Sequence, residues 1–156
     1  MQRHYQKGVE AVNTNYPPLP FIFRFLYAII IGINNTKTMP EAIKLKITDT
    51  AAGKGKIFHF AGEMDEYNLE EVTDAVKPFL DESRVKSLIF DFSELTFINS
   101  KGIGFLVSVH THLSKDGRSL VLAHAQNQVV DVLRLVGLTS IIPYYPTLSE
   151  ATATLK

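Results

Sequence analysis

The chain has no cysteine, which removes disulfides, thiolate nucleophiles and cysteine-held zinc from consideration. A reducing cytoplasm suits such a chain. It also has no net charge: 16 lysines and arginines balance 16 aspartates and glutamates, so the basic footprint of a nucleic-acid binder is missing. Nor is there an apolar run long enough to cross a bilayer. The best stretch, Phe21 to Ile33, has 13 residues and is interrupted by Arg24, against the ~20 that a spanning helix needs. It lacks the small-residue cleavage pattern of a signal peptide. There is no internal repeat, low-complexity tract, P-loop or Gly-x-Ser-x-Gly elbow, and Gly102-Ile-Gly104 lacks the third glycine of a dinucleotide fingerprint.

What is there is one domain's worth of chain. At 156 residues with 46% apolar residues, the sequence can bury one real core. Pro17, Pro18 and Pro20, then Asn34-Asn-Thr-Lys-Thr-Met-Pro40, punctuate an N-terminal extension, residues 1–38, and set the domain at residues 39–156. The extension carries a net charge of +3 and the domain −3. Three readings of the extension stay open: a segment that docks or stays loose, upstream sequence joined to a start at Met39, or an interfacial membrane anchor.

Hydrophobic period gives the elements. Ile43, Leu45 and Ile47 alternate with Lys44, Lys46 and Thr48, and Ile57 to Ala61 follows after a turn containing Gly53 and Gly55, so a hairpin is expected. Asn68 offers an N-cap with Glu71 three residues on, and Leu69, Val72, Val76, Phe79 and Leu80 recur at helical spacing. Pro78 should kink or tighten that helix against the carbonyl of Asp74. Ser87 to Phe92 reads as a central strand covered by helices on both sides. A helix from about Lys101 to Ser114, a strand at Ser119 to Ala123, a helix from Gln126 to Val136 stopped by Gly137, and a last helix from Leu148 to Leu155 complete the set. Strands alternating with helices predict an α/β sandwich with a mostly parallel sheet.

The richest stretch is Leu88 to Leu106, a buried strand, a tight turn and a glycine-rich helix start. Backbone N–H groups and the positive end of a helix dipole then point at Asn99, Ser100 and Lys101. On the helix itself Ile103, Leu106, Val107, His110 and Leu113 form one apolar stripe, expected in the core. Phe105, Val109 and His112 gather nearly opposite, for packing against a neighbouring helix or for a partner.

Asp91-x-Ser-x-Leu-x-Phe-x-Asn-Ser-x-Gly-Ile-Gly-x-Leu106 resembles the core motif of STAS domains, the fold of bacterial anti-sigma factor antagonists. Gly62-Glu-Met-Asp65 upstream and Arg118 to Ala123 with Val129 to Leu138 downstream extend the resemblance over about residues 41 to 155. It implies a mostly parallel mixed sheet of 4–5 strands flanked by about 4 helices. It also implies a noncatalytic, cofactor-free, cytoplasmic module that sequesters an anti-sigma factor of the serine kinase type in a partner-switching circuit, with a PP2C-type phosphatase as a further partner. No membrane or nucleic-acid association is implied. The contact residues it points to are Met64, Asp65, Asn99, Ser100, Lys101, Gly102, Ile103, Phe105, Val109 and His112. The alternative job is a structural STAS subunit of a lipid-transport ABC system or of a signalling scaffold.

Two positions depart from the family pattern. The phosphoacceptor position of the sporulation and stress-response members, just before the glycine, falls on Lys101, and the preceding aspartate on Asn99. Lysine forms no phosphoryl ester, so the departures imply a member always competent to bind, or a STAS domain recruited to a different partner. Ser100 is the alternative acceptor, and otherwise an N-cap, with Asn99 a turn former. Elsewhere His110 and His112 are spaced wrongly for joint metal ligation, His59 and His124 are expected as surface or satisfied polar residues, and Asp91 lacks the acidic pair that a receiver-type magnesium site needs. No metal site is expected.

Overall fold

A computed structural model describes residues 43–50 and 53–155. The extension, residues 1–38, and Ala52 in the hairpin turn lie outside the described residues. Five strands form one sheet in sequence order. β1 (Lys44–Asp49) and β2 (Gly55–Met64) pair antiparallel, Lys44 opposite Ala61 and Asp49 opposite Lys56, as the alternating pattern predicts. β3 (Ser87–Ile98), β4 (Ser119–Ala123) and β5 (Tyr144–Tyr145) then add in parallel. Between them run α1 (Leu69–Leu80), α2 (Ser100–Lys115) and α3 (Asn127–Leu135), and α4 (Leu148–Ala153) closes the chain.

A strand order that advances in one direction, with right-handed crossovers, puts every crossover helix on one face. Accordingly Val72 and Val76 of α1, Phe105, Leu106, Val109 and Leu113 of α2, and Val129 and Leu133 of α3 share one core with Phe58, Phe60, Phe90 and Phe92 of the sheet. Among the described residues the other face is covered by α4, through a small cluster of Ile57, Ile89, Val121, Ala123 and Ala151. Among these residues the helices on the two sides of β3 are unequal, three against one short one.

Several expectations need correction. β3 runs to Ile98, six residues past its expected end, with a register shift against β2 between His59 and Ala61. No separate turn precedes α2: β3 ends at Ile98, Asn99 is the N-cap and the helix starts at Ser100. α1 runs to Leu80 with Pro78 inside it, the extent that its apolar spacing predicts. Asp74 is exposed, so solvent can take the carbonyl bond that proline's missing N–H leaves open. Asn68 holds the N-cap position of α1, as expected, but its side chain makes no cap bond; its Oδ1 accepts from the Asp65 N–H at 3.2 Å and its Nδ2 donates to the Glu63 carbonyl at 2.6 Å, bracing the loop from β2. β5 and a 3₁₀ turn at Leu138–Ser140 are too short to leave a period in the sequence.

Candidate functional site

The start of α2 stands at the carboxyl ends of β2 and β3, where Met64 pairs with Ile98. The Asn99 N–H donates to the Met64 carbonyl at 3.2 Å, and the Asn99 carbonyl accepts from Ile103 at 3.0 Å. Asn99 is the N-cap: its side-chain oxygen accepts from the N–H groups of Lys101 at 3.0 Å and Gly102 at 3.2 Å. Ser100 is thus the first helical residue and not the cap. The Asn99 amide also donates to the Glu66 carboxylate, tying the cap to the loop after β2. In that loop the Asp65 carboxylate accepts from the Tyr67 N–H at 3.0 Å. A rigid corner results, in which two of the orphan donors of the helix are already satisfied from within. Replacing Asn99 by alanine removes both bonds, and urea unfolding should show a loss of about 1 kcal/mol, against a few tenths for Ser100→Ala.

The buried stripe of α2 runs through Gly102, Phe105, Leu106, Val109 and Leu113. Its axis lies between the two stripes read from the apolar residues, because Gly102, which no hydrophobic count registers, is at its centre. A Cβ at 102 would meet Ile98 Cγ1 at 2.7 Å and Met64 Cγ at 3.1 Å, so only glycine lets the helix seat this closely. Phe105 stacks on Phe90 with ring centroids 6.2 Å apart. Phe105 and Val109, at 8% and 2% exposure, are core and not partner surface. Met64 and Asp65 are also buried, so they shape the corner without lining it. Conversely Val107, expected inside, is 41% exposed, and Ile103 and His110 are half-buried.

Ser100 and Lys101 are exposed, and Asn99 and Ile103 half-buried; these four come together. His112 does not join them. It is three turns along α2, about 16 Å at 1.5 Å per residue, with its Nε2 3.7 Å from the Asp81 carboxylate after α1. The corner also carries two exposed aromatic residues that were not among the expected contacts, Tyr67 at 81% and Phe97 at 42% exposure. Phe97 was findable: Phe97 and Ile98 are adjacent on a strand, so only one can face the core. Beside Lys101 a groove of about 400 Å³ is lined by Glu66, Leu69, Glu70, Thr73 and Asp74. The site is therefore an exposed, mixed-charge, aromatic-flanked surface on a stiff support, suited to binding another protein. Among the described residues, no group of three or more His, Asp or Glu side chains could hold a metal ion, and no helix is long and apolar enough to cross a membrane.

Residues 42–151 match the STAS domain family. The fold is similar to that of an anti-sigma factor antagonist from Mycobacterium paratuberculosis, at 22% identity and a TM-score of 0.67, covering 75% of this chain and 97% of that one. It is similar to unphosphorylated SpoIIAA, also an anti-sigma factor antagonist, at 20% identity and a TM-score of 0.60, covering 73% and 96%. The phosphorylated form of the Bacillus cell fate determinant SpoIIAA matches at 19% identity and a TM-score of 0.56, covering 74% and 100%.

Proposed function

The chain belongs to the STAS domain family, and from that premise we propose that it is a cytoplasmic, protein-binding regulatory module, an anti-sigma factor antagonist that sequesters a kinase-type anti-sigma factor. The observation that carries the proposal is the corner at Asn99, Ser100, Lys101 and Ile103, held rigid by its cap and flanked by Tyr67 and Phe97. Binding there needs no chemistry from the chain itself. Met64 and Gly102 contribute from beneath by fixing the height of the helix, and Asp65 by fixing the loop. Gly102, Phe105 and Val109 take no direct contact, and His112 lies outside the surface.

SpoIIAA exists in phosphorylated and unphosphorylated forms. A phosphate at a helix start adds close to two negative charges where the dipole tolerates them, so it alters the surface while the fold survives. By the resemblance of the motif, the acceptor position falls on Lys101 in this chain, whose positive charge the dipole disfavours. We read Lys101 as a contact to a carboxylate of the partner, and the interaction as one not switched by phosphorylation at that position.

The test is capture of partners by the tagged full chain in its own host, with identification by mass spectrometry. The expected result is an anti-sigma factor of kinase type, retained when ATP is added and weakened by Lys101→Glu. Recovery of a transporter ATPase or a scaffold protein overturns the antagonist role and moves the domain to a structural one. ATP-dependent phosphate on the chain, abolished by Ser100→Ala, overturns binding without a switch.

A further inference from the structure

The sheet face covered by α4 carries a second constellation. Beyond Ile57 and Ile89, which α4 covers, the next residues on the same face of β2 and β3 are His59 and Asp91, in register with each other. Asp91 is 4% exposed. Its Oδ2 is 2.8 Å from His59 Nδ1, its Oδ1 accepts from the Ser93 N–H at 3.1 Å, and His124 Nδ1 stands 3.7 Å from Oδ1. A carboxylate only accepts, so His59 Nδ1 carries a proton towards Asp91, and in the neutral imidazole Nε2 is then the nitrogen with the lone pair. Nε2 stands 3.0 Å from Thr48 Oγ1 on β1. Hydroxyl, imidazole and buried carboxylate thus form one hydrogen-bonded line across three strands, in the order nucleophile, base and orienting group.

Two features adjoin it. Lys46 is two residues before Thr48 and opposite His59, which places it on the same face. A groove of about 320 Å³ lined by Lys44, Lys46, His59, Ala61 and Glu94 opens beside the imidazole, whose side chain is 30% exposed.

We propose that Thr48 is a nucleophilic site that accepts the acyl group of small activated carboxylic esters, separately from the surface at the start of α2. Thr48 Oγ1 attacks the ester carbonyl carbon and its proton passes to His59 Nε2. The bond to the leaving oxygen breaks, that oxygen takes the proton from Nε2, and the acyl group stays on Thr48. Water then gives a proton to His59 Nε2 and attacks the acyl carbon; the bond to Thr48 Oγ1 breaks, Oγ1 takes that proton, and the acyl group leaves as the acid. The ammonium of Lys46 is the group that offsets charge on the carbonyl oxygen, and Asp91 is a positioning residue that holds the tautomer.

The test uses the full chain and an alkyl fluorophosphonate, which reports a nucleophilic hydroxyl by releasing fluoride. Peptide mapping should place one adduct on Thr48. Thr48→Ser should keep the adduct and Thr48→Val should lose it. His59→Gln should slow labelling about 100-fold, the contribution of a positioned base, at an unchanged urea midpoint. Asp91→Asn should slow it similarly, because an amide can donate to Nδ1 and force the proton onto Nε2. No adduct on Thr48, or labelling of His59→Gln at the wild-type rate, overturns the proposal and leaves the three residues as a tie between strands.

Discussion

Phe90→Ala should lower the unfolding free energy of the domain by about 3–5 kcal/mol, the range for removing a fully buried phenylalanine. Phe90 has no exposed surface and stands at the centre of the aromatic cluster. Its ring centroid lies 5.4 Å from Phe58, 5.0 Å from Phe60, 6.3 Å from Phe92 and 6.2 Å from Phe105. The first two pairs meet edge to face, the arrangement that adds roughly 0.5–1.5 kcal/mol beyond area alone. Four large rings around the vacated site cannot collapse into it without leaving their own rotamers, so the loss belongs near the top of the range. A domain of this size is stable by about 5–15 kcal/mol, so the variant sits close to its threshold, and its Tm should fall roughly 10–20 °C. The contact with Phe105 makes the core loss reach the proposed partner surface, because Phe105 seats the first turns of α2. Tyr67→Ala, at an 81% exposed position, should change stability by less than about 0.5 kcal/mol. Urea unfolding of both variants decides the matter; a loss below about 1 kcal/mol in Phe90→Ala would mean that the cluster does not organise the core.

The sheet was legible because period 2 and period 3.6 are unambiguous in β1, β2 and α1. The seat of α2 was not, and the reason is physical. Apolar side chains mark a buried stripe only where a side chain fills the interface, whereas at Gly102 the interface is filled by backbone approach. The two halves of one broad stripe therefore read as two. Asn99 and Ser100 are both good caps; what selects Asn99 is the bond between its backbone N–H and Met64, a contact 35 positions away that no local pattern encodes. The line from Thr48 to Asp91 was hidden in the same way. Each member is an unremarkable polar residue on its own strand, and only the register of β1 on β2 and of β2 on β3 brings them into line.

Arg118 escaped the sequence reading because arginine is rarely buried without a partner, and its partners are backbone carbonyls. Its side chain is 3% exposed. Nη1 donates to the carbonyls of Phe79 at 3.2 Å and Glu82 at 3.4 Å, and Nη2 donates to the Leu80 carbonyl and to the Asp116 carboxylate at 3.1 Å. The last carbonyls of a helix have no donor within it, and the negative end of the dipole favours a cation there. One planar fork thus closes α1 and joins it to the turn before β4. Arg118→Ala strips a donor from three carbonyls at once, of which Glu82 keeps the Val85 N–H at 3.0 Å while Phe79 and Leu80 lose the guanidinium. An acceptor left unsatisfied costs about 1–3 kcal/mol when buried, and water admitted to the vacated space recovers part of that, so the expected loss is about 2–4 kcal/mol. Arg118→Met keeps much of the packed stem and separates packing from bonding: it should recover under half of the loss if the carbonyl bonds dominate. Arg118→Lys restores the charge but offers a compact ammonium where the geometry uses a fork, and should fall between the two. Urea unfolding of the three variants gives the order, and hydrogen exchange should localise the damage to the last turn of α1. If Arg118→Met matches the wild type, the guanidinium is a passenger and the stem alone closes the helix.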